Sequence, residues 1–164
     1  MNPLTHSKNS TILPLLIALA LAMTANASEN LPFRLGDEGT ITFTSPSTAT
    51  TAGTGNATHL GKITSDGNLT IVGEASCIDN EVGFAAEMQD TFTAANGDMV
   101  TTAITMQLCP IAPGIYHGVG TYVVTGGTGR FANATGSGVF DGTGNFNTGT
   151  IICALRGTIS MNHH

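Results

Sequence analysis

The stretch Thr125-Gly126-Gly127-Thr128-Gly129-Arg130-Phe131-Ala132-Asn133-Ala134-Thr135-Gly136 decides how this 164-residue chain is read. Gly126, Gly127 and Gly129 let the backbone leave a strand through conformations that other residues enter only with strain. Phe131 can pin the turn that follows onto a core, and Gly136 opens the next alternating run. Arg130 is the segment's single charge, and two roles are open to it. It can tie the turn to a carboxylate or to backbone carbonyls, or it can anchor an anionic or phenolic ligand at the mouth of a barrel.

Outward from this stretch the pattern is that of strands. Ile41 and Phe43 alternate with Thr40, Thr42 and Thr44, while Val100, Thr102, Ile104, Met106 and Leu108 alternate with polar or small residues. In the last run Ile151, Cys153, Leu155 and Ile159 share one face. This period of two marks half-buried strands. Turn signals separate the runs: Asp66-Gly67, Asn96-Gly97, Gly126-Gly127, Asp141-Gly142 and Asn147-Thr148-Gly149. Phe92 to Met99 reads as a hairpin built on a type I′ turn. The spacing predicts about eight strands, near 39–45, 57–64, 68–76, 84–93, 99–108, 115–125, 136–142 and 146–160. The fold class is therefore all-β, an antiparallel eight-stranded β-barrel, with a β-sandwich as the alternative.

The chain divides into four parts on this reading. Residues 1–27 have the basic, apolar and small-residue regions of a signal peptide, ending at Ala25-Asn26-Ala27. The apolar run Ile12–Met23 falls well short of the roughly 20 residues a spanning helix needs, so cleavage near Ala27 and export to the periplasm or beyond are expected. Residues 28–56 are expected to form a mobile segment carrying the first strand, 57–160 the barrel core, and 161–164 a tail. The formal net charge is −6, and basic residues are sparse. Such a surface repels phosphate backbones and anionic lipid heads, which argues against nucleic-acid partners and against membrane attachment after cleavage.

In its order of elements the chain resembles the allene oxide cyclase and dirigent-like barrels. Gly126-Gly127-Thr128-Gly129-Arg130-Phe131 is similar to their glycine-rich signature. Thr58-His59-Leu60-Gly61 and the hairpin Phe92 to Asp98 precede it as they do in small secreted bacterial proteins with that motif. The resemblance spans roughly residues 57–160. It implies an eight-stranded antiparallel barrel, often a homo-oligomer among the plant relatives, whose interior can hold a small apolar or phenolic ligand.

Candidate chemistry is thin. Arg130, Tyr116, Tyr122 and His117 are the ligand-binding candidates, and Asp141 and Glu87 are further polar residues on expected strands. The rings of Tyr116 and Tyr122 have a plainer use, to cover Gly118 and Gly120. His59 and His117 lack the companions and spacing of a zinc site, so neither metal nor other cofactor is expected. No catalytic residue is assigned. Cys77, Cys109 and Cys153 allow three pairings; the ends of expected strands favour Cys77 with Cys109, leaving Cys153 as a buried thiol. Three functions stay open: binding of a small apolar or aromatic molecule in or at the mouth of the barrel, a cofactor-free cyclase, isomerase or dirigent-like enzyme, or a structural, oligomeric surface protein. The first is preferred, and the balance is against an enzyme.

Overall fold

A computed structural model describes residues 30–78 and 81–161. Among them the chain forms eight strands: β1 (Asn30–Ser45), β2 (Thr48–Ala57), β3 (Gly61–Ser76), β4 (Val82–Ala94), β5 (Met99–Ala112), β6 (Ile115–Gly127), β7 (Thr135–Asn145) and β8 (Thr150–Ser160). Each strand pairs antiparallel with the next, and β8 pairs back onto β1, from Asn30 opposite Ser160 to Thr40 opposite Thr150. A single sheet thus closes on itself, and among the described residues no second sheet faces it as a sandwich would require. Closure removes the free edges that eight threonine-rich strands would otherwise expose.

The alternation read from the sequence decides what lies inside. Phe33, Leu35 and Ile41 of β1, Met88 and Phe92 of β4, Ile104 and Met106 of β5, and Leu155 and Ile159 of β8 all point inward and are buried. Burying each side chain of this size contributes about 1.5–3 kcal/mol, the main force holding the ring closed. The last five strands lie close to where the spacing put them.

The first third differs from expectation. The segment read as mobile, 28–56, contributes all of β1 and all but the last residue of β2, so the ring begins at Asn30 rather than at 57. Thr48, Thr50 and Thr54 face outward, and Ala49, Thr51, Gly53, Gly55 and Ala57 face inward. A strand with such small inner residues has no apolar alternation to read, yet small residues are what this site accepts. A Cβ added at Gly55 would run into the Gly36 carbonyl and the Asp37 backbone.

Two of the turn signals lie in mid-strand. Asp66-Gly67 is inside β3, which joins residues 61–64 of the first run to the run 68–76 in one strand, and Asp141-Gly142 is inside β7. Gly67 marks a close approach: a Cβ there would collide with the Asp90 carboxylate and crowd the Thr51 hydroxyl. The β4–β5 connection also departs from type I′. Only Gly97 has a positive φ, 87°, and the link runs through Ala95 to Asp98, closed by Ala94 N–H donating to the Asp98 carbonyl. The last strand begins at Thr150, after a turn over 146–149. Residues 1–27, where a signal peptide is expected, and the tail residues 162–164 lie outside the described residues.

Candidate functional site

The two ends of the ring are built differently. One end is sealed by the β2–β3, β4–β5 and β6–β7 connections. After β6 the chain makes a single 3-10 turn, Gly129–Phe131, that folds Phe131 fully into the core, where it joins Leu60 and Ala134. Arg130 holds this closure from outside. Its Nε donates to Asp98 Oδ2 at 3.0 Å, its Nη2 donates to the His59 carbonyl at 3.0 Å, and its guanidinium lies 5.5 Å from the Phe131 ring centroid. One side chain therefore links three connections. Gly129, at φ 57°, leaves the space that Asp98 fills. Hydrogen bonds from Asn96 and Arg130 hold the Asp98 carboxyl below the usual carboxylate range.

The opposite end is open and aromatic. Tyr116 stacks on Phe146 with centroids 4.9 Å apart, Phe84 lies 5.7 Å from Tyr116, and Phe43 meets Phe146 edge-on at 5.0 Å. These rings come from β1, β4, β6 and the β7–β8 turn. That turn is fixed by Phe146 N–H donating to the Gly114 carbonyl and by Asn147 Nδ2 donating to the Pro113 carbonyl at 2.9 Å. The Cys77–Cys109 disulfide ties the β3–β4 connection to β5 at this same end. Around it Val72, Ile78, Val82 and Ile111 are exposed, Ile78 to 87%.

Beneath the aromatic rings is a cavity of about 40 Å³, lined by Ile41, Leu69, Met106, Phe140, Phe146 and Ile151 among others. It has room for about one water, whereas a benzene-sized guest needs ~150 Å³. The interior is filled by side chains, so no aromatic ligand fits wholly within the ring. Larger hollows of about 490 to 640 Å³ are open grooves on the outer wall.

A band of polar groups crosses the ring midway. Ser65 Oγ donates to Asp37 Oδ2 at 2.7 Å, and Thr51 Oγ1 donates to Asp90 Oδ1 at 3.4 Å. Cys153 sits opposite Asp37 in the β1–β8 ladder, and Thr102 sits opposite Asp90 between β4 and β5. Burial raises both carboxyl groups, Asp90 to about 7 with the Asp37 charge adding to the effect. The Cys153 thiol is pushed up by burial and by these same two carboxylates, which makes it inert as a nucleophile. Among the described residues no cluster of three metal-ligating side chains forms.

The four ligand-binding candidates do not converge. Tyr116 stands at the open end. Tyr122 is buried within the ring against Phe33, with centroids 6.2 Å apart, and burial pushes its phenol up to about 12. Its ring covers Gly138 and Gly157 on the neighbouring strands rather than Gly118 and Gly120, which instead approach Leu108 and Phe140 or the β5 backbone. His117 faces outward, 3.3 Å from Asp141, and Arg130 belongs to the sealed end. Glu87 also points out, leaving no acid–base pair around a shared pocket.

Phe43, Phe84 and Phe146 escaped the sequence reading as site residues, although each stands near the end of an expected strand, where an aromatic ring has little strand interior to fill. Asp37 and Asp90 carried a clearer signal. Each interrupts an otherwise apolar or small inner face, Phe33-Leu35-Asp37-Gly39-Ile41 and Ala86-Met88-Asp90-Phe92-Ala94 taken at every second residue. Compared with known proteins, the chain matches no family model, no curated protein and no solved structure.

Proposed function

We propose that this is an exported binding protein that takes a small, flat, apolar or aromatic molecule at the open end of an allene oxide cyclase or dirigent-like barrel. The observation that carries this reading is the convergence of Phe43, Phe84, Tyr116 and Phe146 at one end of the ring, above an apolar hollow and beside exposed apolar residues. Apolar surface gathered at one end of a domain in this way is a mark of a binding site. The filled interior favours the mouth over the lumen. The disulfide suits an oxidising compartment, in keeping with export.

Binding rests on offset stacking against Tyr116 and Phe146, and aromatic pairs of this kind contribute about 0.5–1.5 kcal/mol beyond the area they bury. Titration calorimetry with naphthalenemethanol, a neutral aromatic probe, tests the reading. Saturable binding is expected to the wild-type protein, and Tyr116→Ala should weaken it by about tenfold, as loss of roughly 1.4 kcal/mol would do. Absence of saturable binding, or equal affinity in Tyr116→Ala, would count against the site.

A further inference from the structure

The open end carries a carboxylate in a position that its own strand would not ordinarily give it. Along β3 the inward residues are Ile63, Ser65, Gly67, Leu69 and Ile71, all odd-numbered. Between Ile71 and Gly73 the β3–β4 register shifts by one residue, and from there Glu74 stands directly opposite Phe84. Phe84 continues the inward face of β4 with Ala86 and Met88, and it is paired in turn with the inward Leu108. Directly opposed residues of an antiparallel pair share a face, so the bulge moves an even-numbered carboxylate to the inner side at the rim. Glu74 is exposed there, next to the first ring of the Phe84, Tyr116, Phe146 series.

Charge is sorted along the ring as well. Of the Lys and Arg residues among those described, Lys62 opens β3 at the sealed end and Arg130 closes that end. Arg34 and Arg156 face each other across the β1–β8 ladder in the same half. None reaches the aromatic end, whose charged residues include Glu74 and, just before β4, Glu81. An anionic ligand would meet a carboxylate and no counter-charge. A cation would find both a carboxylate and the negative faces of aromatic rings.

Building on the binding site proposed above, we infer that the open end selects a cationic ligand, an organic ammonium attached to a flat apolar group, with Glu74 as its charge partner and Phe84, Tyr116 and Phe146 as its seat. A bulge that re-aims one side chain beside a site gives the arrangement its specificity, because without it Glu74 would face solvent on the outer wall.

Three probes with the same ring separate this inference from the reading beneath it: naphthylmethylammonium, naphthalenemethanol and naphthoate, titrated at neutral pH and low salt. The ammonium is expected to bind about fivefold more tightly than the alcohol, with naphthoate weakest, and added salt should narrow that spread. In Glu74→Gln the ammonium-to-alcohol affinity ratio should fall towards one, while Glu87→Gln, on the outer face, should keep the wild-type ratio. If the alcohol binds but the ammonium gains nothing over it, or if Glu74→Gln keeps the preference, the cation assignment is wrong and the mouth remains a neutral site. If none of the three binds, the site itself is wrong and the inference falls with it.

Discussion

Asp90 is the residue at which burial and charge oppose each other most directly. It lies inside the ring near Asp37, with the Thr51 hydroxyl as its hydrogen-bond partner and no basic side chain facing it from β3 or β5. Its carboxyl is raised from 3.8 to about 7, so the folded protein holds a proton that the unfolded chain releases. The stabilisation tied to that proton is complete below the unfolded value and is lost as pH rises through the folded one. Between those limits the slope approaches about 1.4 kcal/mol per pH unit, and the raised Asp37 acts in the same direction. Asp90→Asn keeps the shape and the hydroxyl contact without the charge. Thermal unfolding across mildly acidic to mildly basic pH should show the wild type losing stability as pH rises, and the variant should be flatter and more stable at the basic end. A variant that tracks the wild type at every pH would mean that Asp90 is solvated and unshifted.

At the scale of elements, glycines set how closely strands and rings approach. Gly138 lies beneath Tyr122, and a Cβ there would sit 2.7 Å from the ring's Cε1 and against the Arg156 carbonyl. Gly138→Ala should cost about 1–3 kcal/mol in urea unfolding, since neither neighbour can withdraw easily. At Gly73 a Cβ meets nothing within 4 Å, and Gly73→Ala should be neutral or stabilising by up to about 1 kcal/mol. Equal effects at the two sites would contradict the packing described. The same glycines explain what could be read in advance. In β5 bulky residues alternate strictly from Val100 to Leu108, and the strand follows. In β2 the inner face is Ala, Thr and Gly, and its fit depends on the backbones of β1 and β3, which no local pattern encodes. Asp66-Gly67 looked like a turn because its glycine answers to Asp90, 23 residues away in sequence. Of the site, Tyr116 could be picked out as one of the chain's two tyrosines, a ring with a polar tip on an expected strand. Its partners come from three other places in the chain and meet only once the ring has closed.

The whole molecule is a closed ring with one end tied shut and the other left apolar and acidic. Arg130 accounts for the sealed end, and the glycine-rich stretch around it serves that closure: its glycines admit the turn, and Phe131 fills the core below. The disulfide, the aromatic rings and the displaced Glu74 gather at the far end. The proposed ligand site therefore lies about one strand length from the most recognisable stretch of the sequence, a separation of roughly 35–40 Å over the eleven or so residues of β7 at about 3.4 Å each. Residue-resolved NMR during titration with naphthalenemethanol tests this directly. The account predicts saturable shifts at Phe43, Phe84, Tyr116 and Phe146 and in the β7–β8 turn, with Arg130, Phe131 and their neighbours unmoved. Shifts centred on Arg130 and the glycine-rich turn, or no saturable shifts at the aromatic end, would contradict it.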